Sequence, residues 1–211
     1  MRTMSRNRWR VAVSTGLLAM MTSVSLLASA ATVEVAGVKF KDTATVANTE
    51  LKLNGAGIRY KVIFKVYAAG LYLAEKKTTV PEVIALAGPK LVKMVMLRDL
   101  TNEDFGRGFM TGIQQNTERS EKLKMVNQFV RFGEMFASVP ELKKGDIMLC
   151  EWVPGVGTVV SLNGKVMGEP YPDVAFYNAL LRIWLGEKPV DSSLKKLMLG
   201  ESSDDARSNS R

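Results

Sequence analysis

Residues 53–73 read LNGAGIRYKVIFKVYAAGLYL, and the fold is decided there. Residues 60–67 are a β-branched and aromatic run interrupted only by lysines, which predicts strand, and Ala68-Ala69-Gly70-Leu71-Tyr72 carries it on. The apolar side chains are nearly continuous, the pattern of a strand covered on both faces. Gly55 and Gly57 stand just ahead, where glycines mark a bulge, a bend or the close approach of another group. Between them and the run lies a single arginine, Arg59. A guanidinium does not shed its proton, so burial beside apolar strand demands an anionic partner or several acceptors. That partner is either a structural carboxylate or a ligand. Tyr67 and Tyr72 are the hydroxyls available further along.

Outward from this stretch, residues 33–40 predict a strand with a glycine turn, and residues 43–53 continue with alternating character into the central run. Thr79-Val80-Pro81-Glu82 has the form of a capping box with proline in the first turn, so a short helix should run through Leu86 and stop at Gly88-Pro89. Residues 91–97 are the next strand. Thr101-Asn102-Glu103-Asp104 opens a helical region that reaches Ser138, with a break at residues 115–117. Phe105, Phe109 and Ile113 recur at four-residue spacing, as do Val126 and Val130, with Phe129, Phe132 and Phe136 on an adjoining stripe. Such a stripe is core before it is anything else. Gly106, Gly108 and Gly112 each lower helix propensity by about 1 kcal/mol relative to alanine, and either let the helix lie close to a sheet or leave room for a ligand. Pro140 ends the region. Residues 146–153, 158–162 and 165–167 are strands joined by Pro154-Gly155-Val156-Gly157 and by Asn163-Gly164, the second a strong hairpin signal. Residues 173–185 form a packed helix ending at Gly186, and Ser192 or Ser193 caps a last one through Leu199. Strands and helices are segregated along the chain, which predicts an α+β fold in one domain over residues 31–200.

The ends read differently. Arg2, Arg6, Arg8 and Arg10 precede an apolar stretch over residues 11–27 and Ala28-Ser29-Ala30, the order of a secretory signal peptide cleaved after Ala30, which would leave 181 residues and no spanning segment. Residues 201–211 are polar and predict a disordered tail. Losing the leader removes four arginines and no acids, so the formal charge falls from +8 to +4, carried by scattered lysines that give nucleic-acid binding no support. The chain has no histidine, which excludes His-based triads and His-ligated metals. Cys150, the only cysteine, sits in the apolar setting Ile147-Met148-Leu149-Cys150 and reads as a small buried hydrophobe; neither an intramolecular disulfide nor a thiolate cluster follows. No acidic pair has the spacing of a two-carboxylate site, no glycine-rich loop leads to a phosphate-binding lysine, and no cofactor or metal is expected.

The motif G-x-G-x-R followed by K-V-Y-A-A-G-L-Y resembles the first long hairpin of the chalcone isomerase-like family, over roughly residues 33–199. The bacterial secreted and plant fatty-acid-binding branches are nearer than the flavonoid enzymes. The resemblance implies a large antiparallel sheet packed against a layer of helices, an open-faced sandwich with a ligand cleft between, and a periplasmic address. It implies that Arg59 faces the cleft. In the enzymes the matching arginine stabilises a developing oxyanion; in the fatty-acid-binding relatives an arginine and a tyrosine hold a carboxylate, and Tyr67 matches that tyrosine, where the enzymes have threonine. The enzymes' helix tyrosine falls on Phe105 and their asparagine near Thr111 or Gly112, so two catalytic helpers are missing. The ligand-binding set expected from these matches is Arg59, Tyr67, Tyr72, Phe105, Phe109 and Thr111, with Arg59 the one catalytic candidate. The expected partner is a small hydrophobic or amphipathic acid. An isomerase or intramolecular lyase acting on a chalcone-like enone, and an envelope interaction protein with a vestigial cleft, are the alternatives.

Overall fold

The computed structural model describes residues 32–139 and 141–202; the expected leader, Pro140 and residues 203–211 of the expected tail lie outside them. The chain opens with a small hairpin, β1 (Thr32–Val35) and β2 (Val38–Lys41). Next come β3 (Thr43–Val46), β4 (Thr49–Lys61), β5 (Phe64–Leu73), helix α1 (Val80–Ala85), β6 (Lys90–Met96) and β7 (Leu100–Thr101). Helices α2 (Asn102–Asn116), α3 (Arg119–Lys124) and α4 (Val126–Ala137) follow, then β8 (Glu141–Leu142), β9 (Ile147–Val153), β10 (Gly157–Leu162) and β11 (Lys165–Val166). Helices α5 (Val174–Leu185) and α6 (Ser192–Met198) close the described chain. Seven strands form one antiparallel sheet in the order β11-β10-β9-β6-β5-β4-β3, and the segregation of strands and helices predicted from sequence is what the chain adopts.

Alternation along β5 separates two apolar layers. Tyr67, Ala69, Leu71 and Leu73 face the helices, joined by Val66 at the bulge where the β4–β5 register shifts, and pack with Phe105, Phe109, Phe132, Phe136 and Trp184. Ala68 and Tyr72 face the other way, where β1–β2 lays Phe40 over Leu51, Leu53 and Leu91. The strand is therefore buried on both faces, as its continuous apolar run predicts. Gly55 and Gly57 admit α6: a Cβ on Gly55 would stand 1.9 Å from the Leu197 carbonyl oxygen, and one on Gly57 2.6 Å from Leu197 Cδ1. The ladder also bulges between Leu53 and Gly55. Asn54, at that bulge, donates from its amide to the carbonyls of Lys77 (2.8 Å) and Met198 (2.7 Å), tying α6 to the sheet.

Three local expectations need correction. The run at residues 60–67 is not one strand: Val62-Ile63 is a two-residue turn between the paired Lys61 and Phe64. Neither residue is glycine or asparagine, so no turn residue marks where the hairpin reverses. Likewise residues 43–53 fold back at Ala47-Asn48, both in the left-handed region (φ +48° and +61°). Helix α6 is capped by Asp191, whose Oδ1 accepts from the amides of Ser193 and Leu194, rather than by either serine. Elsewhere the capping signals hold: Thr101 accepts from the Asp104 amide, and Thr79 donates to Glu82. Val126 and Val130 lie on the solvent side of α4, while Phe132 and Phe136 take its core side.

Candidate functional site

Arg59 and Tyr67 are direct cross-strand partners on β4 and β5. The Arg59 guanidinium lies over the tyrosine ring, its central carbon 5.4 Å from the ring centroid. Helix α2 passes above. A Cβ on Gly108 would lie 3.7 and 3.8 Å from the two terminal guanidinium nitrogens, in ordinary contact with the charge. Gly112, one turn on, has the packing role instead: a Cβ there would stand 2.9 Å from Ile183 Cγ2 of α5. The close approach at Gly112 is thus to another helix and not, as the sequence suggests, to the sheet.

A cavity of about 700 Å³ runs along α2 beside Arg59. Its apolar wall includes Val66, Leu100, Phe105, Pro189 and Val190, and its charged groups are Arg59, Lys61, Arg98 and Arg107 against one acid, Asp104. Arg107 is paired with Glu103 on its own helix, an exposed pair of little energetic weight. No carboxylate pairs with Arg59 among the described residues. Its Nε is buried without an acceptor there. Two other concavities, of about 570 and 710 Å³, lie beside Arg131 and Tyr171 and among β1, β4 and α6. In the first, Arg131 has Glu169 at 3.6 Å. The Arg59 cavity alone among the three joins an uncompensated guanidinium to apolar walls.

Of the six residues expected to bind a ligand, Arg59, Phe105 and Thr111 line this cavity. Tyr67 and Phe109 lie behind the wall. Tyr67 is fully buried, and its hydroxyl accepts from Trp184 Nε1 at 2.9 Å. Burial pushes the phenol above its ordinary range, against the opposing pull of the Arg59 charge, so Tyr67 is neutral at ordinary pH. Phe109 and Phe136 back Phe105 from behind, the three ring centroids standing 4.8 to 5.4 Å apart. Tyr72 is not part of the site. It lies five residues from Tyr67 on one strand, hence on the opposite face, where its hydroxyl donates to the Lys41 carbonyl. The sequence reading missed the cations at the mouth, Lys61, Arg98 and Arg107, and the indole of Trp184. The one available signal was Trp184 itself, since an indole N–H in a packed helix needs an acceptor.

Among the described residues no group of acidic or cysteine side chains is placed to hold a metal ion, and no helix is long and apolar enough to cross a membrane. Cys150 is buried in β9, and burial pushes its thiol up to about 12.

Residues 31–200 match the model of a family described as chalcone isomerase-like. Among solved structures, the crystal structure of an Arabidopsis thaliana fatty-acid binding protein matches with a TM-score of 0.60 at 16% identity. The match covers 84% of this chain and 98% of that one, a likeness of fold. No curated protein matches the sequence.

Proposed function

The chain belongs to the chalcone isomerase-like family, and from that premise we propose that it binds a small amphipathic acid, a fatty acid first of all, in the cavity between β4–β5 and α2. One observation carries the reading: a half-buried guanidinium on an apolar-walled cavity, with no paired carboxylate and an unused Nε–H among the described residues. A carboxylate accepts two parallel hydrogen bonds from such a group. The tail then lies along Val66, Leu100, Phe105 and Val190, each buried methylene contributing about 0.8 kcal/mol. Tyr67 acts through Arg59, holding it from beneath. The likeness in fold to a fatty-acid binding protein supports the ligand class. The leader read at residues 1–30 makes export, and a periplasmic address, part of the same proposal.

An isomerase or lyase acting on a chalcone-like enone would use Arg59 against a developing oxyanion. Phe105, on the wall, brings no hydroxyl to that chemistry, so binding comes first. An interaction role with an empty cleft comes third. Native mass spectrometry of the purified protein, with extraction of what it carries, separates them when run beside Arg59→Ala. The expected result is an acid present with the wild type and absent from the variant. In palmitate titrations the variant should lose about 2 kcal/mol, roughly thirtyfold in Kd. Empty protein in both and unchanged titrations would remove the binding reading, and the absorbance decay of a chalcone mixed with the protein would then decide for or against the enzyme.

A further inference from the structure

Strand pairing leaves Val62 and Ile63 alone at the tip of hairpin β4–β5. Val62 is 89% exposed, Ile63 78% and the adjoining Phe64 56%. Isolated exposed apolar residues are ordinary, but three in succession on a protruding turn are not. The backbone sharpens the point. Val62 has φ +59°, a left-handed conformation that costs a β-branched residue strain and that glycine takes freely at the first position of a two-residue turn. Neither solubility nor local conformation is served by valine and isoleucine here.

The charges around the tip have one sign. Residues 60–65 read Tyr-Lys-Val-Ile-Phe-Lys and contain no acid. Arg98, just after β6, holds its guanidinium 5.4 Å from the Phe64 ring centroid. The nearby acids are turned to other work: Asp191 accepts from the Tyr60 amide, and Asp104 lies along the cavity. We propose that this tip docks the protein on an anionic lipid bilayer, with Val62, Ile63 and Phe64 entering the headgroup region and Lys61, Lys65 and Arg98 meeting anionic headgroups. A two-residue tip offers little of the roughly 800 Å² per side that a stable protein interface needs, whereas it suits shallow insertion. Lys61, Val62 and Phe64 also line the Arg59 cavity, so docking would turn the cavity mouth toward the lipid. The docking proposal goes beyond the acid-binding reading and is tested without it.

The test is local. Ile63→Cys and Val156→Cys each carry an environment-sensitive fluorophore, while Cys150 is 1% exposed and escapes labelling in the folded protein. Val156 is the matched control, half exposed and apolar, in the β9–β10 turn at the opposite end of the sheet. With phosphatidylcholine vesicles containing phosphatidylglycerol, emission from position 63 should shift to the blue and that from position 156 should not. Pure phosphatidylcholine should abolish the shift. With the tip label moved to Phe64→Cys, Lys61→Glu with Lys65→Glu should lower apparent vesicle affinity about tenfold or more. Val62→Gly with Ile63→Ser should do so too while holding or raising the unfolding midpoint, because glycine relieves the strained φ. Unchanged emission at 63, equal shifts at both labels, or full vesicle affinity in Val62→Gly with Ile63→Ser would each overturn the proposal.

Discussion

Arg59 is legible in the sequence because a charge stands in an apolar strand; the group that supports it is not. Tyr67 accepts from Trp184 Nε1, a bond between residues 117 apart in the chain that no local pattern foretells. Tyr67→Phe keeps the ring beneath the guanidinium but strands a buried indole N–H. The expected cost is about 1–3 kcal/mol of stability, read from the urea midpoint. Arg59→Ala, by contrast, breaks no ion pair among the described residues and should fold, losing ligand rather than structure. Cys150 gives a simpler check of the core. Its thiol is buried and pushed up to about 12, so iodoacetamide should leave it untouched until the protein unfolds.

Helix α2 carries two glycines whose replacement by alanine should act in opposite directions. At Gly108 the new Cβ meets the guanidinium at 3.7 Å, an ordinary contact, and the helix gains about 1 kcal/mol of propensity. The methyl also occupies the space beside the charge, so Gly108→Ala should raise thermal stability while weakening palmitate binding. At Gly112 the Cβ would press on Ile183 at 2.9 Å, and Gly112→Ala should destabilise by about 1–3 kcal/mol because α5 must move. The sequence shows glycines on this helix but not which one faces the charge, since that depends on how α2 crosses β4 and β5. The same boundary runs through the whole fold. Elements announced by capping residues, by Asn163-Gly164 or by long apolar runs stand where sequence placed them. The reversal at Val62-Ile63 has no turn residue to announce it and that at Ala47-Asn48 only a lone asparagine, so tertiary pairing imposes them. Tyr72 stands away from the cavity because strand alternation turns it to the face opposite Tyr67.

At the scale of the molecule, the sheet's second face makes stability depend on pH independently of the Arg59 site. Glu151 sits on β9 opposite Leu91 of β6, half-buried, and burial pushes its carboxyl above the ordinary carboxylate range. The folded chain therefore keeps that proton to higher pH than the unfolded chain does. Between the ordinary value and the raised one the native state binds more protons, so stability falls as pH rises through this window and the penalty persists above it. Lys90, buried on the neighbouring strand with its ammonium pushed below the lysine range, acts at the alkaline end with the opposite slope: stability recovers as pH climbs from its lowered value toward the ordinary one. Asp99 and Glu82, held low by the Lys144 amide and the Thr79 hydroxyl, oppose Glu151 on the acid side but are solvent-exposed and weak. Glu151→Gln isolates the carboxyl. Urea midpoints taken from acid to neutral pH should show wild type and variant converging at the acid end, where the glutamate is protonated in both states. The variant should become progressively the more stable as pH rises through the raised value, and the gap should then stay constant. A gap that does not change with pH would mean that the Glu151 carboxyl reaches water and carries no burial penalty.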